Sequence, residues 1–245
     1  MTGNDVTMSA LSPQRRISLT AGILYLLTFV SMPILALYGP VMSANYVVGS
    51  GPDTGALVGG FLEIVVALAG IATAVVLFPM LKKQSESGSI GLIAARILES
   101  STIFVGVAFV VSIVTLRKTG VGASALVTSH ALVDLYNRIF LLGQSFMPAV
   151  CDLLLGIMLY KSQLVPRRLA LIGIVGAPIL LVGYFAMLFG NVSRHGPVAG
   201  LSAAPVAVFE FSLGVWLIVK GFNPLAVADL EKKSISSESR LGSLT

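Results

Sequence analysis

Six apolar stretches, each long enough to cross a lipid bilayer, fill most of this 245-residue chain, and only short polar segments separate them. A hydrocarbon core roughly 30 Å thick is spanned by about 20 helical residues. Inside it, each backbone N–H and C=O must find its partner within the protein, which a helix does along its own length. The pattern therefore predicts an all-α integral membrane fold, a six-helix transmembrane bundle with helices at about 17–38, 54–81, 90–116, 130–160, 169–189 and 198–219. Charged residues make up only 11% of the chain, where a soluble domain carries roughly 25%. No polar segment reaches the roughly 50 residues of a separate soluble domain. The chain divides into a cytoplasmic tail over 1–14, one transmembrane domain over 15–222, and a cytoplasmic tail over 223–245 whose serine and charge content predicts disorder.

The lysines and arginines give an orientation. Eleven of them lie in the amino-terminal segment, the Lys82/Lys83 loop, the Lys161/Arg167/Arg168 loop and the carboxyl-terminal segment, against three (Arg117, Lys118, Arg194) in the alternate loops. By the positive-inside rule both termini are cytoplasmic. The net charge of +5 does not point to nucleic acid, because the basic residues stand singly or in short runs at helix ends instead of forming one face. The expected partners are the bilayer and anionic lipid headgroups at its cytoplasmic face. Pro33 is an expected bend in the first helix. The first turns of the long third helix, carrying Arg96, are expected at headgroup depth.

Four carboxylates fall inside the spans: Glu63, Glu99, Asp152 and Glu210. Each costs a few kcal/mol near a bilayer centre unless it is paired, hydrated or protonated. Steps of three and four residues set these acids among small residues, as with Gly60, Glu63, Ala67 and Gly70 or Ala203, Ala207, Glu210 and Gly214. Such stripes let helices approach closely and direct the acids to the bundle interior. Together with Arg96, Asp134 and Arg138 they form a candidate intramembrane polar network. Asp134 and Arg138, four apart with the acid first, are expected to pair on their own helix, and Arg96 to pair with Glu99 or Asp152. The seven groups, all ionised, would carry a net charge of minus three, so at least one acid is expected to be protonated, hydrated or cation-bound. Glu210 is foremost, because no basic residue lies one turn away on its helix.

No signature of catalysis, cofactor binding or metal binding is present, and none of the three is expected. The two histidines, His130 and His195, fall near the outer surface, Cys151 stands alone in an apolar run, and neither HExxH nor GxSxG occurs. Gly120, Gly122 and Ala125 match the spacing of a dinucleotide fingerprint, but no strand precedes them. Two readings stay open. Either the acids mark a path for a small solute, proton or ion, or they bond helices together in a structural or regulatory membrane module. A cavity reaching the acids favours the first, and a closed bundle with each acid paired favours the second.

Four segments carry a family likeness: RRISLTAGILYLLTF from Arg15, AARILESSTIFVGV from Ala94, LYKSQLVPRRLALIGIV from Leu159 and VFEFSLGVWLIVKGF from Val208. In this order they resemble the bacterial multi-pass membrane family known as domain of unknown function 4386, over roughly residues 14–222. The resemblance implies a multi-pass protein of a bacterial cell membrane. It transfers no catalytic residue.

Overall fold

A computed structural model describes residues 11–242 other than 121, 194 and 195, with the backbone alone for residue 35 and residues 237–242. Residues 1–10 of the expected amino-terminal tail, Arg194, His195 and residues 243–245 lie outside the described residues. Helix α1 (Pro13–Thr28) begins where the Ser12 side chain accepts the Arg15 amide at 3.2 Å. Helix α2 (Ser31–Tyr38) continues the same span after a break at Phe29 and Val30. Pro33 has no N–H to give the carbonyl of Phe29, four residues back, so the chain parts one turn before the proline and does not bend at it.

Helix α3 (Thr54–Leu81) follows. Helix α4 (Glu86–Lys118) is capped by Ser85, whose side chain accepts the Gly88 amide at 3.1 Å. The fourth span joins α5 (Ala125–Phe140) to α6 (Met147–Ser162) through a π-helical turn, Leu141–Phe146. Pro148 contributes to that turn, because it cannot donate to the carbonyl of Gln144. Helices α7 (Arg167–Leu188), α8 (Pro197–Val219) and α9 (Pro224–Gly242) complete the chain. Counting α1–α2 and α5–α6 as one span each, six segments among the described residues are long and apolar enough to cross a membrane.

The six spans close into a ring in sequence order. Each packs on its neighbour in the chain, and α1 packs on α8 to shut the circle. Two apolar plugs fill the ring's ends. Near the described termini, Leu77, Leu92, Leu155, Leu159, Leu213 and Leu217 are almost fully buried together. At the other end Ile34, Val41, Val110, Ile113 and Val114 do the same. Beyond that second plug, Asp53 ties the loops down. It accepts from the Tyr46 hydroxyl at 2.6 Å and pairs with Arg117 at 2.8 Å, whose guanidinium lies 4.7 Å from the Tyr46 ring centre. Burial, then the bond to Asp53, pushes the Tyr46 hydroxyl up to about 12.

Residues 224–242 are helical, against the expectation of a disordered tail over 223–245. Their serine and charge content hides an amphipathic repeat: α9 buries Ala226, Val227 and Leu230 against the first plug while Glu231 pairs with Lys83 at 3.3 Å. Opposite it, the Arg15 guanidinium donates to the carbonyls of Leu217 at 2.9 Å and of Ile218. A cation thereby satisfies the open carbonyls at the C-terminus of α8, where the helix dipole favours positive charge.

An acid-lined cavity at the bundle centre

Arg96 lies near the middle of the ring. Its α4 backbone is ten residues in from the helix start, and the side chain, 4% exposed, turns inward and not to the headgroups. Its Nη1 donates to Glu99 Oε2 at 2.9 Å, and its Nη2 donates to Glu210 Oε1 on α8 at 2.7 Å. Asp152 on α6 stands 3.8 Å from the same nitrogen. One base thus serves three acids from three spans. The Tyr25 ring of α1 lies beneath the guanidinium at 5.9 Å, and Cys151 Sγ donates to Glu99 Oε2 at 3.5 Å. Several groups in this cluster meet no hydrogen-bond partner: the Tyr25 hydroxyl, Arg96 Nε and both carboxyl oxygens of Asp152, a residue with no exposed surface.

Glu63 forms a second centre on α3. The hydroxyls of Tyr38 and Tyr136 each donate to it at 3.0 Å, and Gln144 Nε2 at 3.1 Å. The two tyrosine rings meet edge to face at 5.6 Å, which holds both hydroxyls over the same carboxylate. Gln144 reaches it from the π-helical turn. Gly143 makes that turn's approach to α4 possible, since a Cβ there would collide with Thr102 Oγ1. Three neutral donors on one carboxylate stabilise its charge, and charge-assisted bonds are roughly twice as strong as neutral ones.

A single cavity of about 540 Å³ reaches both centres, with Glu63, Arg96, Glu99 and Glu210 all in its wall. Gln144, Ser100 and Ser145 add polar groups, and Phe29, Ile103, Phe140, Leu180 and Val206 supply the apolar remainder. Its rim includes Met32 on α2 and Gly200 and Ala203 on α8, all exposed. The break in the first span accounts for this opening, because α1 stays on α8 while α2 leans away onto α3. The Arg96 guanidinium occupies the position among the acids that a cation would take. No cluster of His, Cys, Asp or Glu suited to a metal occurs among the described residues.

Of the seven residues of the expected network, four meet directly and a fifth, Glu63, shares their cavity. Asp134 and Arg138 do not join them. Both are exposed on α5, and no ion pair links them among the described residues, which corrects the expected pairing. An exposed i, i+4 pair on a helix is worth only a few tenths of a kcal/mol, too little to fix two long side chains. Glu210 is also not without a base, since Arg96 reaches it across the bundle. Sequence reasoning missed Tyr25, Tyr38, Tyr136 and Gln144 as site residues. Tyr38 reads as an interfacial anchor because it ends a span, and only the folded ring turns it toward Glu63.

The family model for a domain of unknown function, DUF4386, matches residues 20–221. The chain belongs to the DUF4386 family. The match runs from α1 to the end of α8 and so takes in all six spans and both acid centres, while α9 lies beyond it. No curated protein and no solved structure matches the chain.

Proposed function

We propose that this multi-pass membrane protein carries a small solute or a proton through the centre of its ring, with Glu63 and the Arg96, Glu99, Asp152 and Glu210 cluster as the binding groups. The observation that carries the reading is the shared cavity: two separate carboxylate centres, contributed by α3, α4 and α8, open into one space between two apolar plugs. Acids that only bonded helices together would need no such space. Transport across a bilayer requires that a site between two closures be reached from either side in turn. The orientation belongs to the same proposal. Both termini face the cytoplasm of a bacterial cell, and the basic loops on that side rest on anionic headgroups.

Sided labelling of a cavity position tests the reading. Ser100, buried in the cavity wall, is changed to cysteine in a chain whose Cys151 is serine, and the protein is placed in liposomes of known orientation. A charged, membrane-impermeant thiosulfonate should modify Ser100→Cys from either side. Reaction from one side only, or from neither, favours the competing reading of a structural or regulatory module.

A further inference from the structure

The walls of the cavity specify its ligand more narrowly than a small solute. Its volume of about 540 Å³ lies within the roughly 300–1,000 Å³ of sites for drug-sized molecules. Most of the wall is apolar, and Phe29, Tyr136 and Phe140 bring to it aromatic rings, a group whose face attracts cations. Charge decides the rest. Among the described lining residues three carboxylates, Glu63, Glu99 and Glu210, face one base, Arg96. Asp152 stands beside that base, fully buried, with neither carboxyl oxygen meeting a donor. Carboxyl groups therefore outnumber bases in a site of low dielectric constant, where an anion would be repelled and a cation attracted.

The rim gives the route. Met32, Gly200 and Ala203 are exposed on membrane-spanning helices, so the gap between α2 and α8 opens on the outward, lipid-facing side of the ring. A ligand that enters there must itself partition into the bilayer. We infer that the cavity binds a lipophilic organic cation, one positive charge on an apolar body, admitted sideways from the membrane between α2 and α8. The inference deepens the transport reading and rests on it for the ligand's passage, though not for its binding.

Tetraphenylphosphonium and tetraphenylborate test it, because they carry the same four phenyl groups on opposite charges. Equilibrium dialysis against the purified full chain in detergent should show saturable binding of the phosphonium at one site per chain, at least about tenfold tighter than the borate. Glu63→Gln should weaken phosphonium binding about tenfold, the effect of removing one carboxylate charge from a site of low dielectric constant. Ala203→Trp should abolish it. That change adds bulk at an exposed position on the rim, so thermal unfolding should match the parent, and the variant decides the matter even where Glu63→Gln fails to fold. Equal binding of the two ions, or phosphonium binding untouched by Ala203→Trp, overturns the inference. Phosphonium binding with Ser100→Cys reachable from one side alone would leave this site standing and remove the transport reading. Two-sided access without phosphonium binding would do the reverse.

Discussion

At the bundle centre one guanidinium answers three carboxyl groups, and the residues differ sharply in what each can lose. Arg96 bonds Glu99 and Glu210 directly, so Arg96→Met strands the buried Glu99 and the half-buried Glu210 and should cost about 3 kcal/mol, as when one partner of a buried ion pair is removed. Asp152 accepts no hydrogen bond and faces Arg96 only at 3.8 Å, and an amide in its place could donate to the neighbouring Glu210 carboxyl. Asp152→Asn should therefore unfold at the same denaturant concentration as the parent or a higher one. Chemical denaturation in detergent checks both, and a larger loss for Asp152→Asn than for Arg96→Met would sink this ordering. Spacing alone made one part of the cluster legible: Arg96 and Glu99 are three apart on one helix. The bond to Glu210 joins residues 114 apart in sequence and carries no periodic trace, so the sequence left Glu210 looking solitary. The donors around Glu63 were hidden for a related reason. Tyrosine and glutamine suit interfaces and loops as well as buried networks, and only the ring closure chooses between them.

Helices in this bundle meet closely at several glycines, and the small-residue stripes contain some residues that make such contacts and some that do not. The first and last spans cross at Gly22 and Gly214. A Cβ on Gly22 would lie 2.7 Å from the Gly214 carbonyl oxygen, and one on Gly214 would lie 3.0 Å from Leu26 Cδ2. Gly22→Ala should push these helices apart and lower thermal stability in detergent by the 1–3 kcal/mol typical of overpacking, roughly. Gly70 belongs to a stripe of the same pattern, yet its nearest neighbour would be Ser100 Oγ at 3.9 Å, because it faces the cavity. Gly70→Ala should melt like the parent, and equal losses for the two variants would contradict this division. A stripe of small residues thus marks two physically different surfaces, a tight crossing and the wall of a void. Sequence separates helix from loop here because the bilayer demands an unbroken apolar run. The same demand makes all faces of a span apolar, so the register that distinguishes crossing from cavity is lost. Proline is the exception. Pro33 and Pro148 each remove one defined i→i−4 hydrogen bond, and the break and the π turn fall at the residues that would have accepted it.

The whole molecule is a ring in which neighbours in sequence are neighbours in space, the simplest connection of six short-looped spans. Their number was legible because each needs about 20 apolar residues. The tail was not, since its composition resembles disorder and the buried trio of Ala226, Val227 and Leu230 is too short a signal to outweigh it. The charge distribution predicts the side of the membrane on which the termini lie, and that side sets which plug faces which compartment. Four exposed positions test this in the chain with Cys151 as serine: Gly51 and Ala123 at one end of the bundle, Lys82 and Lys161 at the other. Lys82 and Lys161 avoid both Lys83, held by Glu231, and Gln163, whose positive φ of 57° already strains a side chain. Ala123 likewise avoids Gly122, at a φ of 64°. The eleven-to-three distribution of lysine and arginine predicts that an impermeant maleimide added to intact cells labels Gly51→Cys and Ala123→Cys. Lys82→Cys and Lys161→Cys should react only after the membrane is opened. The inverse pattern would overturn the orientation alone, whereas labelling of one member from each pair would contradict the six-span ring itself.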